Sequence, residues 1–335
     1  MLEPRPIALV TGAGGEMGHL LLPALAARGY VIVAVDLAPL PPTLAGRCAE
    51  TVQASITDAA RMGELFAQYP PQVVYHLAAL LSRQAEQDPE RAHAVNVEAT
   101  LLLYRLARAE AARRGADVRV LFPSSIAVYG LPGLRKKAKA GAVREHEWTL
   151  PSGMYGCNKL YCEMVGAYWT TRDERAGVPG LDFRSLRFPG LISAQTVPTG
   201  GTSDYAPEMV HAAAAGREYV CFVREDTRLP FMTMPDAVGA FLALAEAPKS
   251  RLTARVYNVK AFSPSAGELQ HALQARFPRF AVRFAPDPVR QALVDTWPGD
   301  VEDARARLDW GFAPQHGLAE ALDQYLLPAL QGADR

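Results

Sequence analysis

The chain has 335 residues, 49% of them hydrophobic, with 35 lysines and arginines balanced by 35 aspartates and glutamates. Neutral overall charge without a long basic stripe excludes the electrostatic footprint of a nucleic-acid binder, and the length suits an open α/β sheet with one main core and a small appended lobe. Cys48, Cys157, Cys162 and Cys221 form no Cys-x-x-Cys pair and no metal spacing with histidine, so no metal is expected and free thiols in a reducing, cytoplasmic setting are. The N-terminus runs straight into a strand and no 18-residue apolar run follows, so neither a signal peptide nor contact with a membrane is expected.

In chain order, Ile7 to Val10, Tyr30 to Val35, Val73 to Leu77 and Val118 to Phe122 read as buried strands, with helices predicted over 16–28, 58–68 and 89–114. This alternation predicts an α/β fold, a Rossmann-type doubly wound parallel sheet over residues 1–188. Residues 189–335 are less regular and read as a smaller, mainly substrate-binding C-terminal lobe, with some segments returning to the first domain. The basic run Arg135-Lys136-Lys137-Ala-Lys139 reads as a solvated loop.

Between the first strand and helix lies Thr11-Gly12-Ala13-Gly14-Gly15-Glu16-Met17-Gly18. Gly12 and Gly15 let the backbone approach a pyrophosphate, Gly18 lets helix and sheet pack, and the helix N-terminus attracts the phosphates. Asp36 ends the second strand where a carboxylate accepts from both ribose hydroxyls and repels a 2′-phosphate, so NAD is expected over NADP. His76-Leu77-Ala78-Ala79 and Ser55-Ile56 end further strands and serve as walls for adenine and pyrophosphate, with His76 equally readable as a satisfied strand-end histidine.

Tyr155 and Lys159 stand at helical i,i+4 spacing. A phenol with an ordinary pKa of about 10 takes a proton near neutrality only if a cation stabilises the phenolate. Ser125, just after the fourth strand, reaches the same pocket mouth and can hydrogen-bond a reacting oxygen. Asn96 reads either as a helix N-cap or as part of a proton relay through Lys159.

Together these segments, with Asn96-Val97 and Ser124-Ser125-Ile-Ala-Val128-Tyr129-Gly130, resemble the extended short-chain dehydrogenase/reductase family. Arg184-Ser-Leu-Arg-Phe-Pro-Gly190, Gly200-Gly-Thr-Ser-Asp-Tyr205, Leu229-Pro-Phe-Met-Thr-Met-Pro-Asp-Ala237 and Asp295-Thr-Trp-Pro298 are similar to its branch of short-chain-type L-threonine 3-dehydrogenases. The resemblance implies NAD-dependent oxidation of the L-threonine β-hydroxyl to 2-amino-3-ketobutyrate, with Tyr155 as base, Lys159 lowering its pKa and Ser125 orienting the hydroxyl. It implies Glu16, Met17, Asn96, Pro123 and Phe188 at the cofactor, and Ser82, Ser124, Thr202, Ser203 and Asp204 at the substrate. Asp204 is otherwise readable as the N-cap of a helix over Tyr205–Ala215. The family also contains nucleotide-sugar epimerases and dehydratases that recycle NAD, and a non-catalytic NAD sensor is a third reading. Ser203 replaces a threonine, Pro235 an aspartate, and Ser55 stands where an aspartate is common. Residues 131–148 read as a longer loop than the family carries, a lid or a cover. Relatives pair through the helices at 96–114 and 152–173, but the charged residues Arg105, Arg108, Glu110, Arg113 and Arg114 leave both monomer and homodimer open.

Overall fold

A computed structural model describes residues 5–196 and 201–332. The central sheet is built from β1 (Ile7–Thr11), β2 (Val31–Asp36), β3 (Glu50–Gln53), β4 (Val73–His76), β5 (Val118–Ser125), β6 (Leu181–Phe188) and β7 (Val256–Asn258). Their spatial order is β7-β6-β5-β4-β1-β2-β3, all parallel, the doubly wound arrangement expected. The continuous apolar runs have a geometric cause, because strand side chains alternate between faces and both faces are covered. Ala8, Val10, Ile32 and Ala34 join one core with α1 (Glu16–Ala27) and α6 (Met234–Glu246). Leu9, Val33 and Val35 join the opposite core with α2 (Ala59–Gln68) and α3 (Ala99–Arg114). The edge strand β3 has Val52 as its one buried residue, so it carries no apolar run by which it could be read from sequence.

A third core, around Tyr205, Met209, Phe222, Phe231 and Trp297, joins the later part of the chain, with α5 (Tyr205–Ala214), to Ile126, Val128, Tyr129 and Val143. It is cross-braced by short parallel pairs, Gly190–Ile192 with Phe231–Thr233 and Tyr219–Cys221 with Val282–Phe284. α6 and β7 return from the later part of the chain to complete the first core and the sheet. Among the described residues, no helix is long and apolar enough to cross a membrane.

The predicted helix 89–114 is continuous, Pro89–His93 passing through a π-helical turn, Ala94–Glu98, into α3. Three local expectations are corrected. Asn96 sits inside that turn and does not cap a helix. The segment 131–148 is not a free loop: Leu134–Ala140 is a helix, and Ala142–Val143 pairs with Asp300–Val301. The basic run is therefore helical, as good helix formers allow, and Lys137 turns inward to donate to the Val294 carbonyl at 3.0 Å. Of the matched segment Gly200–Tyr205, Gly200 lies outside the described residues.

α4 (Met154–Ala176) carries Tyr155 and Lys159 and rests on a buried ionic network. Arg187 grips Glu163 in a fork (2.6 and 2.9 Å) and donates to Tyr129 Oη at 2.9 Å and the Glu145 carbonyl at 2.6 Å. Tyr129 Oη in turn donates to Asn258 Oδ1 at 2.6 Å. One pair thus ties α4, β6, β7 and the 131–148 segment together.

Candidate active site

The carboxyl ends of β1, β4, β5 and β6 open onto a cleft of about 630 Å³. Gly15, Glu16, Met17, Leu77 and Ala79 line its dinucleotide side; Pro123, Ser124, Ser125, Tyr155, Lys159 and Phe188 its middle; and Ser82, Thr202, Ser203 and Asp204 its outer wall. Most of the residues singled out from sequence are thereby brought to one place. Gly12, Gly18, Asp36, Ser55, Ile56, His76, Ala78 and Asn96 are not on that lining.

Several of these shape it from behind. Gly12 has φ +66°, and a Cβ there would lie 2.6 Å from the Ala78 amide nitrogen; a Cβ on Gly18 would lie 2.0 Å from the Ala13 carbonyl. Only glycine permits the turn and the close helix approach. Asp36 accepts from Gly14 N at 2.8 Å and Ala38 N at 3.2 Å, so the carboxylate braces the loop while keeping acceptor sites for ribose hydroxyls. Ser55 Oγ is engaged with Thr57 at 2.7 Å, and Ile56 is packed in the core.

Two residues of the cofactor assignment, His76 and Asn96, keep their side chains inside the protein. His76 is 1% exposed, with Nδ1 at 2.7 Å from Thr11 Oγ1 and Nε2 at 2.8 Å from Thr100 Oγ1. Burial, then the Lys159 charge, push its pKa down to about 3, so the ring is neutral and ties strand ends together instead of facing the cleft. Asn96 is 3% exposed and spends its amide on Leu80, accepting from its N–H at 2.8 Å and donating to its carbonyl at 3.0 Å. It donates also to Asn158 Oδ1 at 3.3 Å. The Asn96 carbonyl is taken by Thr100 Oγ1 and Cys162 Sγ, at 2.7 and 3.3 Å.

Tyr155 and Lys159 face the cleft one helical turn apart. Lys159 Nζ lies 4.4 Å from the Phe122 ring centroid and 5.5 Å from that of Tyr155. Burial pushes the lysine down to about 8, and burial pushes the Tyr155 phenol up. The expectation that Lys159 lowers the phenol's pKa is therefore not met by protein atoms alone: the ammonium is over ring faces, and desolvation dominates both groups. Ser125 Oγ accepts from Ala127 N at 3.1 Å, which leaves its O–H to donate. Ser124 Oγ is buried with no hydrogen-bond partner among the described residues.

Ser82 Oγ pairs with Thr202 Oγ1 at 3.0 Å, fastening the outer wall to the loop that Asn96 holds. Asp204 precedes α5, but its side chain does not cap the helix; Oδ2 accepts from Gly201 N at 2.5 Å. Arg290, behind the wall, and Trp297, on it, are among the residues that escape sequence reasoning. Arg290 donates to the Gly201 carbonyl at 2.8 Å, far away in sequence, and Trp297 lines the cleft; its place in Asp295-Thr-Trp-Pro298 was the available signal.

The site fits a dinucleotide on its own geometry. Gly15, at the N-cap of α1, supplies no side-chain cap, leaving first-turn N–H groups for an anion, and the orphaned Ser124 hydroxyl lies in the same cleft. Fold and site together define a nicotinamide-dinucleotide oxidoreductase. The family described as NAD dependent epimerase/dehydratase matches residues 8–259. The mitochondrial L-threonine 3-dehydrogenase of Bos taurus is 33% identical over 95% of this chain and 81% of its own length. An uncharacterized epimerase/dehydratase of Staphylococcus saprophyticus is 35% identical over 84% of this chain and 82% of its own. The holo structure of the GalE-like L-threonine dehydrogenase from Cupriavidus necator superposes with a TM-score of 0.84 at 34% identity, covering 97% of this chain and all (100%) of that one. The chain belongs to the NAD dependent epimerase/dehydratase family, the extended short-chain dehydrogenases/reductases.

Proposed function

We propose that the protein oxidises the β-hydroxyl of L-threonine to 2-amino-3-ketobutyrate. The observation that carries this reading is the joining, in one cleft, of Ser125, Tyr155 and Lys159 with a short polar wall made by Ser82, Thr202 and Asp204. The similarity to proteins named L-threonine 3-dehydrogenase supports the same substrate.

The glycine-rich loop, the α1 N-terminus and Asp36 would hold NAD, which would supply the hydride acceptor. Ser125 donates a hydrogen bond to the substrate oxygen and fixes its distance from Tyr155. Tyr155, as phenolate, takes the hydroxyl proton, so the C–O bond becomes a carbonyl as the hydride leaves the same carbon. Lys159, with its pKa brought down to about 8, is charged at neutrality and available to the nicotinamide ribose and the phenolate. Asp204 supplies the anion for the substrate ammonium, and the Ser82 and Thr202 hydroxyls supply donors for its carboxylate.

The test is NADH absorbance on mixing the protein, NAD and L-threonine, with NADP, L-serine and D-threonine as controls. Threonine- and NAD-dependent NADH formation is expected, with weaker activity on L-serine, since one methyl discriminates by about 1–3 kcal/mol. Folded, NAD-binding protein without that signal would overturn the threonine reading and turn the search to nucleotide sugars.

A further inference from the structure

Glu16 is the charged residue of the cleft that this chemistry leaves without a role. It is the first residue of α1, follows the glycine turn directly, and shares the cleft wall with Gly14, Gly15 and Met17. A helix N-terminus attracts an anion through its unpaired N–H groups and its partial positive charge. Here the chain has put its own carboxylate into the field that a pyrophosphate uses. The groups facing Glu16 sharpen the conflict. Asp204, across the cleft, adds a like charge; the Thr196 hydroxyl and His19, one turn along α1, work in the opposite direction. Burial and Asp204 outweigh them and raise the Glu16 carboxyl above its ordinary pKa. Arg290 donates to the Gly201 carbonyl, lies over the Phe222 ring and interacts electrostatically with Asp204, so part of the Asp204 charge is offset.

We propose that Glu16 sets the affinity of this protein for the dinucleotide and makes its binding take up a proton: the side chain is ionised in the free protein and protonated when a pyrophosphate lies beside it. The sign follows from linkage. A neighbouring phosphate raises the carboxyl's proton affinity further, so the complex holds a proton that the free protein has released, and affinity strengthens as pH falls. Through the interval between the two pKa values Kd for the dinucleotide rises with pH, by about tenfold in all for a shift of one unit. The inference rests on the family's cofactor and not on threonine, so it is tested without turnover.

The experiment is calorimetric titration of NAD into the full-length protein and its Glu16→Gln variant, in buffers of different ionisation enthalpy, between about pH 5.5 and 8.5. Glutamine keeps the size and polarity of the side chain and removes only the charge. The native protein is expected to take up a fraction of a proton per NAD, about half at its maximum, as a coupling of about one pKa unit allows. The variant is expected to bind about tenfold more tightly at neutral pH, the scale of one like-charge repulsion across a solvated cleft, and to lose the pH dependence. ADP-ribose, which has the pyrophosphate but no nicotinamide, is expected to give the same proton count. Equal affinity and equal uptake in native and variant proteins would overturn the proposal. Uptake with NAD but none with ADP-ribose would overturn it too, since it would place the titrating group at the Tyr155–Lys159 end.

Discussion

In the proposed reaction Tyr155 can act as a base only where something offsets its burial, because the surrounding protein holds the phenol above its usual pKa. The residue still lies on a cleft wall beside Ser125 and one turn from a lysine, which is where a positive charge can reach its oxygen once reactants are in place. Tyr155→Phe removes the proton acceptor and little else. Turnover is expected to fall by about 10²–10⁴ while the NAD dissociation constant stays within about twofold, measured by steady-state kinetics and by titration; near-native turnover would exclude this phenol as the base. Asp36 is a second residue with a separable role. Its carboxylate braces Gly14 and presents the remaining acceptor sites beyond β2. Asp36→Asn is expected to weaken NAD and narrow its advantage over NADP, read as the ratio of the two dissociation constants; an unchanged ratio would mean that the ribose contact lies elsewhere.

Among the elements, α4 depends on a pair that sits far from the chemistry. Arg187 and Glu163 are 4% and 2% exposed, and each satisfies the other's charge. Removing one partner leaves a buried charge uncompensated, so Arg187→Met is expected to cost about 3–5 kcal/mol in denaturant unfolding, whereas Arg187→Met with Glu163→Met is expected to recover most of that loss. Equal loss in single and double variants would show that the hydrogen bonds to Tyr129 and Glu145, and not the ion pair, carry the stability. The reading of the sequence succeeds and fails for reasons visible at this scale. The βαβ alternation and the glycine loop are legible because each is a local pattern with its own physical cause: strands buried on both faces are continuously apolar, and only glycine permits the turn at residue 12. The Asn96 clamp is not legible, because a π-helical turn leaves no compositional trace and its partner Leu80 is a backbone. The fastening of 131–148 is hidden for a similar reason, since Ala142–Val143 finds its pairing partner at Asp300–Val301. In the site, Tyr155, Lys159 and Ser125 share a recognisable spacing, but Arg290 meets the Gly201 carbonyl only through the fold of the lobe.

For the molecule as a whole, the lysine proposed to serve the chemistry works against the fold. Lys159 is 3% exposed and its amine is brought from 10.5 down to about 8. Below pH 8 the folded chain must hold a buried charge that the unfolded chain carries in water, so the penalty is present in full. Between about 8 and 10.5 the folded protein releases this proton and the unfolded chain keeps it, so the penalty fades; above 10.5 it is gone. A difference of that size corresponds to about 3 kcal/mol near neutral pH, at about 1.4 kcal/mol per pKa unit. The ammonium's position 4.4 Å over the Phe122 ring returns part of it. Lys159→Met is therefore expected to inactivate the protein and to stabilise it, by about 1–3 kcal/mol at pH 7, with the two stability curves converging as the pH rises through 8 toward 10.5. Denaturant unfolding of both proteins at a series of pH values reads this directly. A variant less stable than the native protein at pH 7, or a gap independent of pH, would mean that the amine is accommodated by the fold and that its low pKa is not carried as a cost of the site.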